Sequence, residues 1–149
     1  NNRGEAYTGM KEYDRAIADF KQAIELDPNR SFLPWNNLGK VYYQQKRYQQ
    51  AMEAYNEALA IKPEYLPALI GLGNTQKASG LYDSAANSYN QAIEINPDYY
   101  EAWYGKGSVA ENLMQYDAAR EYYQKAVKLK PDWEAATNSL ARIESKLGI

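Results

Sequence analysis

The stretch AYNEALAIKPEY, Ala54–Tyr65, returns as SYNQAIEINPDY at Ser88–Tyr99 and as YYQKAVKLKPDW at Tyr122–Trp133. An earlier copy, DFKQAIELDPNR, occupies Asp19–Arg30, so Pro28, Pro63, Pro97 and Pro131 stand 35, 34 and 34 residues apart. A fixed period of this length marks stacked supersecondary units. Aligned on the prolines, other residues fall into columns: Tyr13, Tyr48, Tyr82 and Tyr116; Ala16, Ala51, Ala85 and Ala119; Phe20, Tyr55, Tyr89 and Tyr123; Ala23, Ala58, Ala92 and Ala126. Offsets of three, four and three place these columns along one stripe of a helix.

A second periodic segment precedes each of these helices: FLPWNNLGKVYYQQ, LPALIGLGNTQKAS, YEAWYGKGSVAENL and the stub NNRGEAYTGM. Proline is tolerated in a first helical turn and not in an interior, so Pro34 and Pro67 mark helix starts and the four column prolines mark stops. The pattern predicts a single all-α domain over 1–149, built as a row of antiparallel helical hairpins. Its units are a truncated first one at 1–31, then 32–65, 66–99 and 100–133, with a last helix at 134–149. That helix carries Trp133, Ala136, Leu140, Ile143 and Leu147 on one stripe and Thr137, Ala141 and Glu144 where a further hairpin would seat, the composition of a polar cap. Gly4, Gly39, Gly73 and Gly107 share one column of the first helices, where glycine costs about 1 kcal/mol relative to alanine. A close crossing onto the column Ala16, Ala51, Ala85 and Ala119 is the expected compensation.

Composition narrows the chemistry. The chain has no cysteine and no histidine, which removes thiol nucleophiles, imidazole bases, disulfides and the usual zinc ligands together. With no carboxylate pair in an evident enclosed pocket either, no catalysis, metal or cofactor is expected. The net charge of −2 gives no general attraction to nucleic acid or anionic membranes. Ten of the fifteen tyrosines (Tyr7, Tyr13, Tyr42, Tyr48, Tyr55, Tyr82, Tyr89, Tyr99, Tyr116 and Tyr123) sit in core or turn columns, which argues against a base-stacking surface. No apolar run approaches the roughly 18 residues of a membrane span, so no direct membrane insertion is expected. The start NNRGEAYTGM lacks a signal-peptide core, and the expected location is the cytoplasm, although a chain that begins with Asn is expected to be a fragment or a processed form.

The run WNNLGKVY with Ala51, Tyr55 and Pro63 resembles the tetratricopeptide repeat, Trp-x-x-Leu-Gly-x-x-Tyr, then Ala-x-x-x-aromatic, then Pro. The unit at 32–65 carries every element, with Tyr55 for the usual Phe. The next keeps Leu72, Gly73, Ala85, Tyr89 and Pro97 but has Leu69 for Trp and Gln76 for Tyr. The fourth keeps Trp103, Gly107, Ala119, Tyr123 and Pro131 but has Lys106 and Ala110 in the Leu and Tyr columns, and the first has Arg3 where Leu is expected. The resemblance implies a right-handed superhelix, an α-solenoid whose first helices line a concave groove that binds a peptide segment of a protein partner. Carried over column by column, the groove residues are Asn36, Asn37, Lys40, Tyr43 and Gln44; Ile70, Asn74 and Lys77; Tyr104, Ser108, Glu111 and Asn112, with Glu101; and Asn138 and Arg142. Amides, hydroxyls and aromatics of this kind can engage a peptide backbone.

Two specialised forms of the family do not fit. The carboxylate clamp for acidic chaperone tails needs cations where this chain has Asn36, Lys40, Gly71, Glu101 and Gly105, or, one unit earlier, Asn1, Glu5, Asn37, Pro67 and Gly71. An asparagine ladder would need more than Asn2 and Asn37 in a column that continues with Gly71, Gly105 and Ser139. Gly71 and Gly105 form a second glycine column expected to face the groove, either admitting a ligand backbone or as ordinary family variation. GLGNTQ lacks the third glycine of a nucleotide fingerprint and lies within a helix. The expected function is a non-enzymatic scaffold for protein complexes; the alternatives are a self-association module and an auxiliary domain of a larger enzyme. The truncated first unit should leave Ile17, Phe20 and Ile24 less covered, so that either upstream residues or the same end of a second chain would protect them.

Overall fold

A computed structural model describes residues 2–149, with side chains from residue 9 onward. The described residues form eight helices and no strand: α1 (Asn2–Leu26), α2 (Phe32–Gln44), α3 (Tyr48–Ile61), α4 (Leu66–Ala78), α5 (Tyr82–Ile95), α6 (Tyr100–Asn112), α7 (Tyr116–Leu129) and α8 (Glu134–Lys146). They gather into two compact units, one running to Gly71 and the other covering Leu72–Ile149. The prolines end α3, α5 and α7 in one manner. Steric conflict with the proline ring drives the preceding residue out of the helical region, and Lys62, Asn96 and Lys130 accordingly take φ of −135°, −141° and −138°.

The hairpin turns are also uniform. Lys46, Gly80 and Met114 adopt left-handed backbone, with φ of 58°, 76° and 58°. Each turn closes with paired bonds to the end of the preceding helix: Arg47 N–H to Tyr42 C=O at 2.8 Å, Leu81 N–H to Gln76 C=O at 2.8 Å and Gln115 N–H to Ala110 C=O at 2.9 Å. These satisfy carbonyls that the helix end would otherwise strand.

The first unit departs from the expected truncated hairpin. Lys11 occupies the turn column, yet α1 runs through it as one 25-residue helix. A turn would interrupt the helical hydrogen bonds and place a non-glycine residue in left-handed backbone, at a cost of about 1 kcal/mol. In later units burial of a whole first helix offsets that cost. Arg3 stands where Leu38 and Leu72 are buried in later units, which leaves less apolar surface with which to do so. The side chains of Arg3, Gly4, Glu5 and Tyr7, like Asn1, lie outside the described residues.

The core follows the columns. Ala51, Ala85, Ala119, Ala58, Ala92 and Ala126 are fully buried, as are Tyr89 and, nearly so, Tyr55 and Tyr123. The glycine contact differs from the expected one. A Cβ on Gly39 would fall 2.8 Å from the Tyr55 ring, one on Gly73 2.7 Å from Tyr89, and one on Gly107 2.6 Å from Tyr123. The glycines therefore admit the aromatic column, not the alanine column. Gly71 and Gly105 do the same from the other side: their Cβ atoms would stand 2.4 Å from the rings of Tyr55 and Tyr89. This second glycine column seats a tyrosine of the preceding hairpin, so it is not an opening for a ligand backbone. Another pair of columns exchanges bulk: Tyr42 faces a unit with Ala54, Ala110 one with Tyr122, and between them Ser88 Oγ donates to Gln76 Oε1 at 2.7 Å.

Along α1 the counterparts Ala16, Ile17, Phe20, Ala23 and Ile24 are only half-buried, and Met10 is 61 % exposed. In the second unit α8 packs its apolar stripe against α6 and α7. Ile143 joins Ala110, Ala119 and Tyr123 in one apolar cluster flanked by Leu140 and Leu147, while Glu144 pairs at 3.5 Å with Arg120 of α7.

Candidate peptide-binding face

The residues carried over to the groove sit on α2 and α4 of the first unit and on α4, α6 and α8 of the second. In the first unit Lys40, Tyr43 and Gln44 are exposed, and Asn37 and Ile70 are half-buried. Tyr43 leans on Tyr48, with ring centroids 5.8 Å apart. Asn36 is a correction: it is 1 % exposed, and its Oδ1 is buried without a hydrogen bond among the described residues. Asn36 shares a helical stripe with Lys40 and Tyr43, four and seven residues on, so the period of α2 does not separate them; packing of other helices against that end of α2 buries it.

In the second unit several of the expected residues are hydrogen-bonded, in two groups. Lys77 Nζ donates to Ser108 Oγ at 3.0 Å, joining α4 to α6. Arg142 of α8 grips Glu111 of α6 with two parallel bonds, Nε to Oε1 at 2.7 Å and Nη2 to Oε2 at 2.8 Å. Arg142 Nη2 also reaches Ser139 Oγ at 3.3 Å, and Ser139 Oγ lies 3.4 Å from the Tyr104 hydroxyl. Asn112 and Asn138 remain exposed beside them.

Two contributors come from helices the column argument assigned to the core. Tyr89 donates its hydroxyl to Asn74 Oδ1 at 2.6 Å, and Tyr123 donates to Glu111 Oε2 at 2.7 Å. Their rings are buried while their hydroxyls support polar residues of α4 and α6. The only signal for this in the sequence is tyrosine where the repeat usually has phenylalanine.

The charges respond to this arrangement. The Arg142 hydrogen bonds, against the opposing effect of partial burial, hold the Glu111 carboxyl below its usual range, and Tyr123 helps. The same bonds raise the Arg142 guanidinium above its usual value. Burial lowers the Lys77 ammonium, and the Glu111 charge restores part of the loss. Burial raises the phenols of Tyr55 and Tyr123, with the Glu111 hydrogen bond adding to the second. The group around Glu111 is thus a preorganised ion cluster, and its residual donors on Arg142, whose side chain is 49 % exposed, face solvent. Among the described residues no group of three acidic side chains could hold a metal, and no helix is long and apolar enough to cross a membrane.

Helices stacked in hairpins with a repeating column code and a polar face on the first helices define the class of helical-repeat interaction modules. Models of the tetratricopeptide repeat match residues 1–64, 42–87 and 70–133. The chain belongs to the tetratricopeptide repeat family, and its fold class is the all-α helical-repeat solenoid. Comparison with curated protein sequences gives no match. Among solved structures the chain is similar to the crystal structure of MamA, at 25 % identity over 97 % of this chain and 84 % of that one, with a TM-score of 0.81. It shares its fold with the tetratricopeptide domain of Sgt2 from Aspergillus fumigatus, at 24 % identity over 80 % of each chain and a TM-score of 0.76. It also shares it with the first such domain of Spaghetti (RPAP3) bound to the HSP90 peptide SRMEEVD, at 22 % identity over 79 % of this chain and 94 % of that one, with a TM-score of 0.74. Members of the family serve in protein–protein interaction, and the family is typically non-catalytic.

Proposed function

We propose that the chain is a non-enzymatic scaffold whose first-helix faces bind a peptide segment of a partner protein. The binding residues are Asn37, Lys40, Tyr43, Gln44 and Ile70 in the first unit, and Asn74, Lys77, Tyr104, Ser108, Glu111, Asn112, Asn138 and Arg142 in the second. The observation that carries the reading is the hydrogen-bonded order of the second face. With Lys77 held by Ser108 and Glu111 held by Arg142 and Tyr123, the surface loses little freedom on binding. A flexible peptide then bears most of the ordering cost, which favours modest affinity. Binding of an acidic peptide such as the one held by RPAP3 is not the expected case, because the clamp columns here hold Gly71, Glu101 and Gly105.

The test is a pull-down from native lysate followed by quantitation on variants. Replacing Lys40, Asn74 and Arg142 together by alanine should weaken capture while the helical circular dichroism holds. Replacing the exposed second-helix residues Asn56, Gln91 and Gln124 should leave capture unchanged; the reverse ranking would refute the assignment.

A second reading, pairing of two copies through α1, is favoured by one observation: Met10, Tyr13, Ile17, Phe20 and Ile24 form a helical stripe that is exposed or only half-buried.

A further inference from the structure

In the fourth repeat the chain covers its own tryptophan with lysines. Lys106 Nζ stands 5.6 Å from the centre of the Trp103 ring and 4.4 Å from that of Tyr122, and Lys125 Nζ stands 5.7 Å from Trp103. Such placements draw on the attraction of a cation to an aromatic face.

The corresponding tryptophan of the second repeat, Trp35, lacks both lysines. In the register that aligns Trp103 with Trp35, Lys106 becomes Leu38 and Lys125 becomes Glu57. Among the described residues no lysine or arginine is placed over the Trp35 ring. Tyr122 becomes Ala54, and beside Trp35 there opens a crevice of about 250 Å³ between α1, α2 and α3. Its floor is Ile24, Leu38, Tyr42 and Ala54, and its rim carries Glu25, Glu53, Gln50 and Lys21, with Arg47 placed over the Tyr42 ring at 4.6 Å and bonded through Nε to Gln50 Oε1. Glu57 lies one turn along α3 from Glu53 and is exposed. The carboxylates Glu25, Glu53 and Glu57 outnumber the cations Lys21 and Arg47, so the rim is net negative, around an aromatic and aliphatic floor, and the Trp35 ring lacks the lysines that the same chain places at Trp103.

We propose that this crevice binds an arginine side chain of a partner peptide, at a site separate from the first-helix faces. On α2, Trp35, Leu38 and Tyr42 form one stripe and Lys40, Tyr43 and Gln44 another. Arginine fits the lining better than lysine. Its planar guanidinium stacks on an indole and forms paired bonds to a carboxylate, and its methylene stem covers apolar floor. Glu25 and Glu53 supply the carboxylates, and Trp35 supplies the ring.

The probe is acetyl-Gly-Arg-Gly-amide, with citrulline in place of arginine as the uncharged control of the same shape. The three tryptophans give three indole N–H resonances, and Trp35→Phe identifies the one that reports on the crevice. The arginine peptide should shift the Trp35 resonance saturably and leave that of Trp103 in place, and citrulline should bind about five-fold more weakly or worse. The pair Glu25→Gln and Glu53→Gln should weaken binding by a similar factor. Glu57→Lys, which restores the lysine of the fourth repeat at an exposed position, should abolish it, whereas Glu57→Gln should retain most of it. An unmoved Trp35 resonance at tens of millimolar peptide, an equal response to citrulline, a response confined to Trp103, or full binding by Glu57→Lys would each overturn the proposal.

Discussion

The ring of Tyr89 occupies the place where a side chain on residue 105 would begin: a Cβ built on Gly105 would lie 2.4 Å from both Cε1 and Cζ. Tyr89 is fully buried, so its ring has nowhere to retreat. Gly105→Ala should therefore destabilise by about 1–2 kcal/mol, the cost of overpacking exceeding the helix-propensity gain. Tyr89→Phe should not relieve it, because the conflicting atoms remain, whereas Tyr89→Leu should show strong coupling with Gly105→Ala in a double-mutant cycle by urea unfolding. Gly9→Ala, with nothing within 4 Å of the new methyl, should instead stabilise, by up to about 1 kcal/mol.

The hairpin turns supply a test whose sign distinguishes a turn from a helix. Lys46 and Met114 hold left-handed backbone without being glycine, so Lys46→Gly and Met114→Gly should each stabilise by about 1 kcal/mol. Lys11 shares their column but is helical, and Lys11→Gly should cost about 1 kcal/mol. A gain at position 11 in thermal unfolding would show that the first unit turns there after all.

The clasp between Glu111 and Arg142 should appear in the acid limb of stability. A glutamate in the unfolded chain titrates near about pH 4.3, and folding lowers the Glu111 carboxyl. The folded state thus binds fewer protons, and the contribution of the clasp is complete above the unfolded value and lost as pH falls through the folded one. Glu111→Gln should flatten this limb. It should also push the Lys77 ammonium lower still, since the Glu111 charge now supports it, an effect readable by NMR titration.

Tyr55 and Tyr123 govern the opposite limb. Unfolded tyrosines ionise near about pH 10, while burial keeps these two protonated well beyond that. Their contribution is complete below about pH 10 and lost as pH rises through the folded values. Lys77, lowered by burial, acts in the other direction and gains stability with rising pH. Urea midpoints across this range should fall for the parent chain and fall less steeply for Tyr55→Phe.

If two copies pair through α1, sedimentation at rising concentration should show association that Met10→Glu and Phe20→Glu both weaken. A chain that stays monomeric, with either variant behaving alike, would remove that reading.

From α2 onward the sequence alone determined the helices, their ends and their columns, because each depends on local chemistry. Proline excludes helical backbone from the residue before it, as at Lys62, Asn96 and Lys130, and an apolar stripe needs only a period of 3.6. The exposed polar positions Lys40, Tyr43, Gln44, Asn112 and Asn138 were legible for the same reason. Tertiary structure decided what the columns meet. Glycine in a helix announces a close approach without naming the visitor, and only packing showed that Gly39, Gly71, Gly73, Gly105 and Gly107 seat tyrosine rings. The burial of Asn36, the passage of α1 through Lys11 and the pairing of Glu111 with Arg142, 31 residues away, likewise turn on a balance between neighbours distant in sequence. No local pattern carries that balance, because the burial that offsets a turn, an ion pair or a missing side chain is supplied by another helix.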